Sequence, residues 1–450
     1  MSKYQIDMTK GSLLPKILLF SIPLMASSIL QLLFNAADII VVGKFAGSNS
    51  LAAVSSTTSL VNLITQLFIG LSIGVNVVVA KHIGEKDGDR IYNSISTSII
   101  ISLVGGLIVT ILGITISKPL LLLMGSPAEV INLSDLYLKI YFLGMPATMF
   151  YNYGSAVLRA QGDTQRPLKF LLIAGILNVI LNLFFVIVLK IDVAGVGLAT
   201  TISQYLSAFL ILKCLLSENW PFCLDIKNMT FDKEEFKQII IIGLPAGLQG
   251  TVFSISNVTI QSSINSFGNI VMAGNGAASN LEGFVYMAMN TFYQAAISFT
   301  SQNLGAGEFN RLNKILISCI LCVTVTGAIL GYGLWCFGDF FLHMYSNDPT
   351  VISAGLVRLS YIGKIYFLCG IMDVLCGAIR GLGNSFIPMI TSLVGSCLFR
   401  LVWVSTVFQM YHTQDILYLV YPISWILTAT CHLFFYIIIK KKTLEKLKTK

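Results

Sequence analysis

Arg159-Ala-Gln-Gly-Asp-Thr-Gln-Arg-Pro167 returns as Arg380-Gly-Leu-Gly-Asn-Ser-Phe-Ile-Pro388, an offset of 221 residues in a chain of 450. The same offset carries Ile83-Gly84 with Arg90 onto Leu304-Gly305 with Arg311, and Gly47 with Ala52 onto Gly268 with Ala273. Pro23 answers Pro245 with a slip of one residue. Landmarks that keep one spacing across half a chain mark a duplicated unit. In a membrane chain, that arrangement points to a transporter whose site lies between two lobes.

Composition makes it a membrane chain. It is 55% hydrophobic and only 11% charged, with a mean hydropathy of +0.80, whereas a soluble domain carries about 25% charged residues. So much apolar surface cannot all be turned inward, and the bilayer must serve as solvent. The formal charge of +8 resides in loops, so it reads as topology rather than as affinity for nucleic acid. All nine cysteines fall at or after Cys214. Cys319 and Cys322 form a CxxC inside an apolar helix with no second pair, so the cysteines read as small buried hydrophobes rather than disulfide or metal ligands. The apolar run from Leu13 to Val42 is too long for a signal-peptide core and lacks a small-residue cleavage site, so no cleaved leader is expected.

Twelve long apolar helices are predicted, over 14–43, 51–80, 93–117, 131–159, 167–190 and 194–216, then 236–266, 271–303, 311–341, 351–380, 386–410 and 414–440. Ser217–Glu235 is the longest polar stretch and joins the halves. The expected fold is an all-α integral membrane protein with two pseudo-symmetric six-helix lobes. The N-lobe is 1–216, the cytoplasmic connection 217–235 and the C-lobe 236–450. Six helices per half make the repeat parallel, because the second half enters the membrane from the same side as the first. If the N-terminus is cytoplasmic, the inside segments hold twenty-two basic residues and the outside segments three, namely Lys44, Lys118 and Lys190. Such a bias places both termini in the cytoplasm.

Ionisable residues within the membrane each cost about 2.5–3.5 kcal/mol on insertion scales, so each needs a reason. Asp38 sits in the outer half of the first helix, with no basic residue of its lobe at matching depth. An unpaired carboxylate there is suited to exchanging a proton or small cation. Asn178 and Asn182 share one face of the fifth helix, and Thr200 and Gln204 one face of the sixth, at i,i+4 spacing. Converging on Asp38, they would form an oxygen-rich pocket for Na⁺ or for a protonated acid. The C-lobe holds Glu282, Lys364, Asp373 and Arg400, read as an ionic cluster, either a neutral network or a carboxylate freed during a cycle. Pro23 and Pro245 lie about one-third into the first helix of each lobe and are placed to bend it. The GxxxG pairs Gly70/Gly74, Gly243/Gly247 and Gly327/Gly331 read as close helix packing. Aromatic and methionine residues of helices 4 and 8, among them Met145, Phe150, Met289 and Tyr293, would suit flat cationic substrates if they faced a cavity. No GxxxxGK[ST], HExxH or GxSxG occurs, so neither an ATP-driven pump nor an enzyme is expected.

Several of these patterns together resemble the multidrug and toxic compound extrusion (MATE) family: Pro23 ahead of Asp38, Ala80-Lys-His-Ile-Gly84 ending helix 2, Leu158-Arg-Ala-Gln-Gly-Asp-Thr-Gln-Arg-Pro167 ending helix 4, Asn178-Val-Ile-Leu-Asn182, and Gly195-Val-Gly-Leu-Ala-Thr200. The resemblance implies a cation-coupled antiporter of bacterial type in the plasma membrane. Entry of H⁺ or Na⁺ would drive export of cationic amphipathic drugs by alternating access. It makes Asp38 the coupling acid and Asn178, Asn182 and Thr200 its polar partners. Family members with a C-lobe cation site carry a glutamate in helix 7; Phe253 stands near that place here, and Asp373 lies about a turn closer to Arg380 than the family's helix 10 acid. No cofactor, nucleic-acid partner or second subunit is expected, and Na⁺ at Asp38 is the one metal candidate.

The alternative within transport is a flippase for a lipid-linked oligosaccharide. It requires a cationic cavity, for which Lys364 and Arg400 are available but Glu282 and Asp373 cancel them. An ion channel would need rings of like residues from symmetric subunits. The charge asymmetry makes one prediction. Alkaline phosphatase fused after Lys190 will be active and green fluorescent protein fused there dark, with the reverse pattern for fusions after Lys86 or Lys448. Equal phosphatase activity at all three sites would refute the topology.

Overall fold

The computed structural model describes residues 4–123 and 128–448. Lys3 and Lys450, counted in the charge bias, lie outside them. All regular structure among the described residues is helical. Helix α1 is Leu13–Val41, extended by a π-helical turn Val42–Ala46; α2 is Gly47–Glu85 and α3 is Gly88–Leu123. α4 comes in two pieces, Ala128–Leu143 and Met145–Ala160. α5 is Gln165–Leu183 with a π turn Phe184–Val188, and α6 is Asp192–Ser217. In the second half, α7 is Lys233–Asn265, α8 Asn269–Gly305 and α9 Phe309–Cys336. α10 joins Pro349–Ile362 to Phe367–Gly381, α11 joins Phe386–Ser392 to Phe399–Ser405 through a π turn Leu393–Leu398, and α12 is Gln414–Lys448.

Among the described residues, nine helices are long and apolar enough to cross a membrane, or ten with the two pieces of α10 taken as one span. The other two rods are α4, interrupted at Gly144, and α8, which carries Asn275, Glu282, Thr291, Gln302 and Asn303 on buried positions. A helix packed on all sides by protein need not be lipid-soluble.

Two expected spans and one expected loop differ in detail. α10 was read as one helix over 351–380; it is bent by 46° at a 3₁₀ turn, Gly363–Ile365. α4 breaks at Gly144 because Pro146 in the next turn cannot donate to a preceding carbonyl. Between α1 and α2 the expected outer loop is reduced to Gly47, at φ +84°. Pro23, by contrast, is accommodated within a continuous α1.

The duplication is visible in backbone geometry. Positive φ occurs at Gly47 and Gly268 (84° and 89°), at Lys86 and Gly307 (59° and 73°), and at Gly162 and Gly383 (85° and 87°), each pair 221 apart. At 86 a lysine occupies the left-handed conformation that glycine takes at 307, which is uncommon for a residue with a Cβ.

Packing divides the chain into two compact units that do not follow the duplication boundary. One comprises residues 1–6 and 26–243, the other 7–25 and 244–450. The cuts fall just after Pro23 and just before Pro245, so each unit contains the start of the other half's first helix. Backbone contact explains this in the first unit. Gly74 of α2 lies against the backbone of Ile239 and Gly243, and Gly243 against that of Leu71. Small residues at both positions let the helix backbones touch, as the GxxxG reading anticipated.

Polar clasps complete each unit. In the first, His82 bonds Glu85 Oε2 through Nδ1 (2.7 Å) and Glu235 Oε2 through Nε2 (2.9 Å), while Arg90 Nε donates to Glu235 Oε1 (3.2 Å) and Ser94 Oγ to Oε2 (2.9 Å). In the second, positions 303 and 311, 221 residues beyond 82 and 90, do the same work on neutral backbone carbonyls instead of a carboxylate. Asn303 donates to the Met8 carbonyl (3.0 Å), Arg311 Nη1 donates to that of Gly11 (3.0 Å), and the Met8 amide donates to Gln302 (3.0 Å). Phe20 stacks edge-on against Phe299 at 5.7 Å. All nine cysteines are free thiols.

Glu235 is 2% exposed, so its removal leaves His82 and Arg90 facing an empty acceptor. Glu235→Ala is expected to cost about 3 kcal/mol, the usual penalty for breaking a buried ion pair. Detergent-solubilised variant should therefore lose its folded signal several degrees below the parent; an unchanged thermal transition would show the clasp to be dispensable.

Candidate functional site

Asp38 lies four residues before the π turn of α1, and Asn182 two residues before that of α5. A π turn inserts one residue and re-aims the side chains beside it; such turns recur at functional sites. Here the two turns lie in contact within the first unit, and they bring the acid and the amide together.

Asn182 Nδ2 donates to Asp38 Oδ1 and also to Asn178 Oδ1 (3.2 Å). Thr200 Oγ1 donates to Asp38 Oδ2 at 3.5 Å and receives from Asn178 Nδ2 at 3.4 Å. Asp38 is half-buried and no basic side chain pairs with it among the described residues. Asn182 Oδ1 is buried with no partner, an acceptor left over at the edge of the cluster. Four oxygens therefore gather within one hydrogen-bond network: both of the carboxylate, the Thr200 hydroxyl and the Asn178 carbonyl. Oxygen-only donors suit a hard cation, and the same groups suit a protonated acid.

Above the site, Val41, Val42, Ala53, Val54, Val186, Val193 and Val196 pack with Tyr137 into an apolar cluster, and Tyr141 lies beside it. Tyr137 stands close to Asp38 and 6.2 Å from Tyr141 between ring centroids. Neither tyrosine was singled out from sequence. Gln204 does not join Asp38: its side chain lies against Gly144 and reaches Tyr141, leaving its Oε1 without a hydrogen-bond partner. One turn along α6 from Thr200 carries it toward α4 instead of α1.

The C-lobe acids and bases do not form one cluster. Glu282 is held by Arg358, Nε to Oε1 at 2.9 Å and Nη2 to Oε2 at 2.6 Å, both side chains buried. Arg358 also donates to Asn275 (2.7 Å) and lies over Tyr418 and Tyr421. Arg358 sits about one and a half turns ahead of Lys364 on α10 and is not singled out by the sequence. Lys364 stacks over Trp335 at 4.0 Å. Arg400 donates to Ser424 (3.0 Å) and stacks on Tyr421 at 4.7 Å. Asp373 faces Tyr286 and Arg380, with Oδ2 unpartnered, and Arg380 donates to Tyr293 and to Gln249. A bidentate guanidinium–carboxylate pair is the strongest of these contacts, and it removes Glu282 from any shared network. The helix 4 and 8 residues Met145, Phe150, Tyr153, Met289, Phe292 and Tyr293 are each less than 9% exposed and pack within their own units. No group of three or more His, Cys, Asp or Glu side chains able to hold a metal occurs among the described residues.

The chain is similar to known proteins along most of its length. The MatE family model matches residues 23–184 and 245–404, once in each half. The chain is 28% identical over 400 residues to the probable multidrug resistance protein YpnP of Bacillus subtilis (strain 168), covering 88% of each. It is 23% identical over 373 residues to an FAD transporter of Shewanella oneidensis, covering 81% of this chain and 80% of that one. Its fold superimposes on a crystal structure of MATE in complex with MaL6 with a TM-score of 0.92 at 21% identity, over 99% of this chain and 100% of the other.

The Glu282–Arg358 pair can be tested directly. Arg358→Gln strands a buried carboxylate and should destabilise the protein by about 3–5 kcal/mol. Adding Glu282→Gln should restore most of it, read as the thermal transition in detergent. Additive losses in the double variant would show that the two residues do not act as a pair.

Proposed function

The chain belongs to the MatE family, and from that premise we propose that it is a cation-coupled exporter of amphipathic compounds at the plasma membrane, with Asp38 as the coupling acid. The observation that carries the proposal is a membrane-embedded carboxylate whose hydrogen-bond partners are amide and hydroxyl groups, with no base to neutralise it among the described residues. Such an acid can gain and lose a proton or Na⁺ without an ion pair having to be broken. Asn182 contributes through its free Oδ1: turning the amide over would present this acceptor to a protonated carboxyl or a bound cation.

Coupling needs only differential affinity. A cation on Asp38 removes the acceptor role of one oxygen, and the hydrogen bonds from Asn182 and Thr200 must rearrange. These lie beside the π turns of α1 and α5, the segments with the weakest helical register. The proposed cycle lets cation loading favour one arrangement of α1 and compound binding the other. Pro23 and Pro245 are the proposed bending points, at the places where α1 and α7 pass from one compact unit to the other. The substrate class implied by family resemblance is cationic and amphipathic, the topology has both termini in the cytoplasm, and the protein acts as a monomer without a cofactor.

Asp38→Asn keeps the shape and the hydrogen bond from Asn182 but cannot bind a proton or cation. It is expected to insert in normal amount and to abolish export, measured as loss of resistance and of ethidium efflux in expressing cells. Wild-type proteoliposomes given a pH gradient or a Na⁺ gradient separately will show dye flux under one of them. Full export by Asp38→Asn, or flux under neither gradient, would overturn the coupling role, and the second result would favour the flippase.

A further inference from the structure

The sequence alone suggests that the acids of the second half cancel its bases. The structure removes that cancellation. Glu282 is consumed by Arg358, and Asp373 faces Arg380. Lys364 is half-buried and spreads its charge over the Trp335 ring. Arg400 is left as a cation with no carboxylate within salt-bridge distance among the described residues.

Arg400 is also 3% exposed. A guanidinium has five N–H donors in a planar fork. Only Nε is used, donating to Ser424 Oγ, which in turn donates to the Tyr421 carbonyl (2.8 Å). Nη1 and Nη2 have no hydrogen-bond partner among the described residues, on a side chain that is otherwise enclosed by protein. The fork is held at its base, flattened against Tyr421 at 4.7 Å, and presents its bidentate edge unoccupied. The π turn Leu393–Leu398 ends two residues earlier and sets the direction in which Arg400 leaves α11. Beside it the half-buried Tyr421 and Tyr366 flank the buried Trp425, at 5.9 Å and 5.5 Å between ring centroids.

We propose that Arg400 is a binding site in the second unit for the anionic group, phosphate or carboxylate, of an amphipathic compound whose flat apolar body lies along Tyr421 and Tyr366. A bidentate oxyanion is what the free edge of a guanidinium matches. The ring faces accept a planar body without demanding one substitution pattern. This deepens the exporter reading and rests on it for the physiological role. It extends the substrate class to compounds carrying an anionic group, whether or not they also carry a cation. The shared chemistry is the oxyanion, whether it belongs to a soluble compound or to a lipid headgroup.

The test uses purified full-length protein in a neutral detergent and needs no ion gradient, so it stands apart from the transport assays on Asp38. The probes are 4-methylumbelliferyl phosphate and its uncharged alcohol, 4-methylumbelliferone, titrated by quenching of protein tryptophan fluorescence. Wild type should bind the phosphate at least 10-fold more tightly than the alcohol. Arg400→Gln should bring the two within 2-fold of each other while leaving affinity for the alcohol unchanged, and Arg400→Lys should retain part of the preference. Ser424→Ala, which frees the fork without removing its charge, should weaken the phosphate less than Arg400→Gln does. Gel filtration reports whether each variant stays folded, and Arg400→Lys carries the test if Arg400→Gln does not. Displacement of the probe by phosphatidylglycerol micelles, but not by phosphatidylcholine, would identify a lipid headgroup as the occupant. Equal affinity of wild type for both probes, or a preference that survives Arg400→Gln, would overturn the proposal.

Discussion

Hydrocarbon cannot hydrate a charge, and most of what is distinctive about this protein follows from how each intramembrane charge is met. Glu282 and Arg358 meet each other with two hydrogen bonds and become a neutral strut. Lys364 is met by an indole face and Arg400 by a phenol face and one hydroxyl. Asp38 is met by amides and a hydroxyl alone. These solutions differ in reversibility. A bidentate pair is broken only at the expense of two stranded charges. A carboxylate among neutral donors keeps its capacity to bind a cation, because nothing nearby already supplies positive charge.

The two compact units show a second economy. Each is closed by a segment from the start of the other half's first helix, gripped by the end of one helix and the start of the next. His82, Arg90 and Glu235 do this with charges in the first unit, and Asn303 and Arg311 do it with carbonyl acceptors in the second. Positions 82 and 303, and 90 and 311, are related by the same offset as the repeat. The duplicated clasp has kept its place while its chemistry diverged. Pro23 and Pro245 stand close to the points where α1 and α7 pass from one unit to the other.

Part of the site was readable without coordinates. Asn178 and Asn182 share a helix face by spacing alone, and an acid without a matching base in its own half is visible in a list of charges. That the face turns toward Asp38 depends on two π turns, which leave no residue-type signature in Val42–Ala46 or Phe184–Val188. Gln204 was expected on the same evidence of spacing as Thr200, yet one helical turn was enough to direct it to Gly144 and Tyr141. Periodicity assigns a face; it does not say how far along that face a neighbour extends.

The amino-acid sequence by itself determined the membrane class, the helical architecture and the twofold repeat, because these depend on composition and on spacings that persist over hundreds of residues. It also fixed which charges have to be explained. The tertiary structure alone decided their partners. Arg358 and Glu282 are 76 residues apart, and Asp38 and Asn182 are 144 apart, distances over which no local rule applies. Pairing between helices is set by the angle and depth at which each backbone crosses its neighbours, and those are properties of the packed whole.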